Sequence, residues 1–439
     1  MSEYADIMIR KLSIWSFCNY LDDVVGLIFS PTDLIIISDS AEDSEDEKSY
    51  QYPKYMYRSN VQKAKERLDA LGYSLPKLEK EFKRDTEDLL ELFRFSQAFT
   101  PNEEEAYIAA KGKLEKHISY RKWMNAIKKV IKYELDNGNI TFWGKEHDIA
   151  IKTMCDDLVF DSLRNDDPTY IYGMDLEYID VGFIFRAILE YCEADDEVIL
   201  DFTNLDDWAD NSIEQGCVAA GNNEKTIVLV EGTSDKDILE FSLKHLYPHL
   251  ADLFYFMDFD DGNNGKRDGG TSYLIKNMKT FYFSRIKTRF IAVFDNDAEG
   301  YNSKCTLLRE IRNWPDNFRI LQYPTIREFH RYPTIAPNEC IIYDDINGRA
   351  CSIELYLPDC IIAKDGQYFP IEWESRIRTT CESGEQISQY QGVISNKDGI
   401  KKQFHKLRNG IEKGECLFEP DEWNRMKQLI DTIVFAFVK

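Results

Sequence analysis

The stretches TIVLVEGTSD at residues 226–235 and FIAVFDNDAEG at residues 290–300 decide how this chain reads. Each runs apolar residues straight into carboxylates. An unpaired buried carboxylate is among the costliest groups to place. Glu231, Asp295 and Asp297 therefore belong where a buried strand stops and a loop begins.

The surrounding sequence supports that placement. TIVLVE reads as a β-branched strand, and SDKDILEFSLKHL follows with helical spacing and Ser234 as its expected N-cap. LFYFMDF (253–259) reads as a second strand and DGNNGKRDGG as a Gly-rich loop. SYLIKNMKTFYF is a second helix, RFIAVFD a third strand, SKCTLLREIR a third helix and FRILQYP a fourth strand. Strand and helix alternate through short turns. That pattern predicts right-handed βαβ crossovers and a parallel sheet buried on both faces, whose strands read as continuous apolar runs.

In such a sheet the functional crevice lies beyond the carboxyl ends of the strands. Glu231, Asp295 and Asp297 would converge on one rim, where three carboxylates repel one another unless a divalent cation neutralises them. Hard oxygen ligands at an open rim suit Mg²⁺ or Mn²⁺ with substrate phosphate. The predicted chemistry is phosphodiester hydrolysis. Metal held by Asp295 and Asp297 polarises phosphate and acidifies a water, and Glu231 serves as general base or second metal ligand.

VLVEG followed by a helix, a glycine-bearing loop and then FDNDAEG resembles the Toprim domain shared by topoisomerases, primases, OLD-family nucleases and small RNA maturases. The resemblance covers about 100 residues and implies a Rossmann-like α/β fold with Glu231, Asp295 and Asp297 as its acidic set. It also implies that Asp235 matches a second acidic position of OLD-type nucleases, and that Glu354 in SIELYLP matches a further ligand. Topoisomerases need a clamp-forming tyrosine domain, primases a zinc module, and the maturases are far shorter. Among these the resemblance leaves the nuclease, and a sensor subunit of Toprim fold that binds nucleic acid or a partner without cutting is the alternative.

Around this domain the sequence divides at about residues 85, 220 and 345. Residues 1–85 carry strand-like runs (ADIMIRKLSIW, DLIIISD) and form a small α+β domain; residues 86–220 have helical periods, broken at Asn137-Gly138-Asn139. GNNEK (221–225) is a linker, 221–345 the Toprim domain, and 346–439 a mostly helical extension ending in an amphipathic helix. The N-terminal SEYADI…LSIWSFCNYLDD…LIFSPTDL resembles bacterial proteins with a HEPN/Toprim-associated N-terminal domain, which implies anti-phage defence. A HEPN ribonuclease needs an Arg four to six residues before a His. None of His117, His147, His245, His249, His330 or His405 has one, so the helical segment is expected to be catalytically silent.

Composition narrows the partners. The net charge of −24 argues against a chain that binds phosphate backbone over its whole surface. Lys and Arg nevertheless gather in 117–133, 276–289 and 401–413, while acid is concentrated in 39–47 and 194–210. A local basic groove thus remains open for DNA or RNA. The acidic run 39–48 is a candidate phosphate mimic shielding the rim. Gly269 and Gly270 allow backbone to approach phosphate closely, and a cation for the transition state is available from Lys401 or Lys402, or from Lys266 or Arg267.

Other chemistries fit less well. GNNGKR lacks the Gly and Ser or Thr of a phosphate loop, having Asp260 and Arg267 there, so an ATPase or regulatory role would fall to a partner protein. Cys381 and His405 have no spacing that suggests a nucleophile pair. Ten cysteines occur singly with no C-x-x-C, which argues against structural zinc. No apolar run approaches the roughly 18 residues that span a bilayer, and the N-terminus lacks the pattern of a signal peptide. The expectation is a cytoplasmic protein, not bound to membrane, with homo-oligomerisation through the C-terminal helix open.

Overall fold

A computed structural model describes residues 4–37, 53–97, 119–137, 179–207, 212–257, 270–381 and 383–438. The chain divides into two compact units, Met1–Asn223 with Phe437–Lys439, and Glu224–Ala436. The division falls inside GNNEK.

The first unit is built on five antiparallel strands: β1 (Tyr4–Ile9), β2 (Leu12–Cys18), β3 (Leu34–Ile37), β4 (Lys54–Asn60) and β5 (Glu197–Asp201), in the order β2-β1-β5-β4-β3. Its helices are α1 (Val61–Ala70), α2 (Leu75–Gln97), α3 (Tyr120–Asn137) and α4 (Val181–Leu189). Asn60 caps α1 by accepting from the Lys63 amide at 2.9 Å. One core runs from Ala5 to Ala220 across the point near residue 85 where the sequence pattern changes. The reason is β5: it comes from the helical segment, yet occupies the middle of the sheet between β1 and β4. Its Val198 and Leu200 point into the core in alternation, inside a stretch whose acids dominate the sequence.

The second unit holds the two stretches quoted first. Its parallel strands are β6 (Thr226–Leu229), β7 (Phe254–Met257), β8 (Phe290–Phe294) and β9 (Phe318–Gln322), ordered β9-β8-β6-β7. The intervening helices are α5 (Thr233–Leu246), α6 (Thr271–Phe283) and α7 (Ala298–Glu310). The predicted alternation of strand and helix is present. Every residue of β8 is buried, and Phe290 stacks between Phe281 (4.5 Å) and Phe318 (5.3 Å). Two helix starts differ from expectation. Gly232, not Ser234, caps α5, and α7 begins at Ala298 rather than Ser303 because Asp297 caps it.

A second sheet follows, of β10 (Tyr332–Ile335), β11 (Ile341–Asp344), β12 (Ile371–Thr380) and β13 (Gln386–Ile394), in the order β11-β10-β12-β13. The segment after residue 345 thus holds a long strand pair as well as helices. IEWESRIRTT and QISQYQGVI pair antiparallel over most of their length, ahead of the helices α8 (Lys397–Glu412) and α9 (Asn424–Val434). Among the described residues no helix is long and apolar enough to cross a membrane.

Candidate active-site carboxylates

The strand order places the topological switch point between β6 and β8, since the chain leaves these neighbours in opposite directions across the sheet. Glu231 follows β6 and Asp295 follows β8. The Asp295 amide donates to Glu231 Oε1 at 3.2 Å, so the two strand ends meet at the crevice. The Glu231 carbonyl in turn accepts from the Gly270 amide at 3.0 Å. Gly270 has φ +93°, a conformation that favours glycine, and it caps α6. Gly269, Lys266 and Arg267, and the acidic run 39–48, lie outside the described residues.

Asp297 has a different task. Its Oδ1 accepts from the Gly300 amide at 2.7 Å as the N-cap of α7, and its Oδ2 accepts from Gln391 Nε2 at 2.6 Å. The FDNDAEG glycine is explained by the same turn: a Cβ at Gly300 would lie 2.3 Å from the Asp295 carbonyl oxygen. Asn296 and Asp297 also pair with Cys351 and Ala350, which ties the rim to the region preceding Glu354.

Asp235 lies in the first turn of α5 and is buried. Glu354, 1% exposed, accepts from Ser352 Oγ at 2.8 Å and pairs with Lys397 at 3.3 Å and Lys401 at 3.6 Å. The structure brings Lys401 to the carboxylates but turns the adjacent Lys402 to solvent. Consecutive helical residues point about 100° apart.

The electrostatics follow from this crowding. Burial first, then Asp297 and Asp235, push Glu231 up to about 8, against the amide of Asp295, which lowers it. Burial and Glu354 raise Asp235 to about 7, although Lys397 and Lys401 oppose them. Asp295 is raised well above the carboxylate range by burial and then by Glu231 and Asp235. Asp297 is raised as well, by burial, with its Gly300 and Gln391 bonds pulling the other way. Burial alone would lower Lys397, but Glu354 and Asp295 hold it above its ordinary value.

Two carboxylate oxygens of this cluster, Asp295 Oδ1 and Glu354 Oε1, lack a hydrogen-bond partner. Asp295 Oδ1 is buried with no hydrogen-bond partner, the kind of orphaned acceptor that native folds rarely leave. A hard cation would satisfy it, and the donors around it are carboxylate oxygens. Among the described residues, however, no three His, Cys, Asp or Glu side chains stand close enough to form a ready-made cage. The set suits an ion held by one or two carboxylates, with waters and substrate phosphate completing the shell, as Mg²⁺ prefers.

Sequence reasoning missed Lys397 and Gln391. Lys397 was within reach, being one helical turn before Lys401 on the same face. Gln391 carries no local signal: its partner Asp297 is 94 residues away.

The second unit is thus a parallel α/β sheet with carboxylates packed at its switch point. The chain belongs to the HEPN/Toprim N-terminal domain 1 family, whose model matches residues 1–222. No curated protein and no solved structure matches it.

Proposed function

We propose that this chain is a divalent-metal-dependent Toprim-type endonuclease that hydrolyses phosphodiester bonds at the β6/β8 switch point, acting as an effector of bacterial anti-phage defence. The observation that carries the reading is the orphaned, fully buried Asp295 Oδ1 beside Glu231 and Asp235. Four carboxylates with raised pKa values in one crevice mark a functional site more readily than a structural one.

Asp295 and Asp235 would hold Mg²⁺ or Mn²⁺, which supplies positive charge for the phosphate and acidifies a water. Glu231, held by the Asp295 amide, takes the proton of the attacking water. Asp297 fixes the start of α7 and, through it, the backbone of Asp295. Lys397 and Lys401 offset the charge of Glu354 and face the negative charge that grows in the transition state. The defence role rests on the family of residues 1–222.

A second reading, a non-cleaving nucleic-acid or partner-binding sensor, is favoured by one observation: no three acidic side chains among the described residues already form a cage. Plasmid DNA and total cellular RNA, incubated with Mg²⁺, Mn²⁺ or EDTA and with wild-type or Glu231→Gln/Asp295→Asn protein, separate the two. Metal-dependent cutting lost in the variant supports the nuclease; phage protection that survives the variant in cells supports the sensor.

A further inference from the structure

The β12–β13 hairpin has two unlike faces. Helix α7 packs against the hairpin, and the inner face supplies Gln391 to Asp297 and Gln389 to the Gly348 carbonyl at 3.0 Å. The outer face carries a row of aromatic rings and guanidiniums. Arg349 lies over Trp373 at 4.3 Å, Trp373 sits 6.5 Å from Tyr390, and Arg376 lies over Tyr390 at 5.7 Å. Register places Arg376 opposite Tyr390 and Arg378 two residues on, the same face. Arg349 is fixed from behind by Asp344 at 3.1 Å and the Asp345 carbonyl at 3.0 Å, so its plane is held against Trp373. Tyr390 is 51% exposed, and Arg376 and Arg378 are exposed.

We propose that this outer face, Arg349, Trp373, Tyr390, Arg376 and Arg378, is a track for single-stranded nucleic acid leading to the carboxylate rim. The occupant follows from the chemistry. Exposed aromatic faces stack on bases only where base faces are free, which a duplex does not offer, and every base has such a face. Guanidiniums between the rings match phosphates with paired N–H donors. Alternation puts the exposed Glu372 on the opposite face; Glu374 at the bulge and Asp344 on Arg349 are the nearby acids, against the three guanidiniums of the row in a chain of net charge −24.

The track adjoins the rim through the backbone. Tyr390 and Gln391 point to opposite faces of β13, and the row meets the rim instead at Arg349, whose backbone bridges Asp297. A strand stacked on Tyr390 and Trp373 therefore runs toward Arg349 and, past it, the switch point. This deepens the proposed nuclease by naming an unpaired substrate strand, and it rests on that reading for its destination but not for its binding.

The test measures binding in EDTA, where cutting is off. Fluorescein-labelled oligothymidine and oligouridine of roughly 20 nucleotides, and a duplex of the same length, are titrated into the full chain at low salt by anisotropy. The expected result is tighter binding of the single strands, weakened about tenfold by Tyr390→Ala and restored by Tyr390→Phe, with thermal melts unchanged. Arg376→Ala/Arg378→Ala should flatten the salt dependence. Comparing the thymidine and uridine arms tells DNA from RNA.

Equal affinity for the duplex, no binding of any oligonucleotide, or binding untouched by Tyr390→Ala in a folded variant overturns the track. The two readings fail separately. Tyr390-dependent binding without any cutting leaves the track and removes the nuclease. Metal-dependent cutting with wild-type KM in Tyr390→Ala removes the track and leaves the nuclease.

Discussion

The amide of Asp295 donates to the carboxylate of Glu231 at 3.2 Å, tying together the ends of two neighbouring parallel strands. This one bond places two acids, 64 residues apart in sequence, in contact at the crevice. Burial first, and then the neighbouring carboxylates, raise both acids, while the Asp295 amide itself pulls Glu231 down.

Asp295→Asn should separate stability from activity. The amide keeps the shape but removes an acid that is ionised in the unfolded chain and disfavours ionisation when buried here, so the metal-free protein should melt higher, by on the order of 1 kcal/mol or more. Metal-dependent cutting should fall at least about a hundredfold. Melting in EDTA and a cleavage assay check both; a lower melting temperature would contradict the repulsion inferred for the site.

Stability of the metal-free protein should decline with rising pH. Folded Glu231 and Asp235 hold protons up to about 8 and about 7, whereas in the unfolded chain ordinary carboxylates lose theirs near 4. The folded state therefore binds more protons between those values, and the penalty grows as pH rises from about 5 to 8. Urea unfolding in EDTA at pH 6 and pH 8 should show a loss of on the order of 2 kcal/mol. Mg²⁺ should restore more at pH 8 than at pH 6, because its binding displaces those protons.

Gln391→Leu should destabilise the second unit. It leaves Asp297 Oδ2 without its 2.6 Å donor in a buried place, a loss of about 1–3 kcal/mol. Asp297→Ala, which removes the α7 cap as well, should cost more. A double variant that loses no more than Asp297→Ala alone would show that Gln391 acts through Asp297.

The two lysines should differ. Lys397→Met removes a partner of the buried Glu354 and should cost about 1–2 kcal/mol after solvent screening of the half-buried ammonium. Lys402→Ala, on the solvent side of the same helix, should stay within about 0.5 kcal/mol and keep wild-type activity. Chemical denaturation and cleavage rates on both variants settle the assignment.

The sequence by itself determined the local alternation of strand and helix from Thr226 to Gln322, and it marked Glu231 and Asp295 as strand-end acids. These features are legible because a strand buried on both faces must be continuously apolar, so carboxylates betray its end. The strands of the C-terminal segment escaped notice for the opposite reason: β12 and β13 are half-buried, their polar outer residues dilute the apolar signal, and pairing with neighbouring strands defines them. Likewise β5 is recognisable only once β1 and β4 flank it.

Tertiary structure alone decided which acids meet and which hydrogen bonds and ion pairs each one makes. Asp297 reads in sequence as a ligand beside Asp295, yet its oxygens are engaged by the α7 cap and by Gln391. Glu354 gains its lysines from a helix that begins 43 residues later. Such contacts have no sequence period to announce them, because they are set by how sheets and helices pack rather than by neighbours along the chain. Spacing fixes the elements; packing fixes the chemistry.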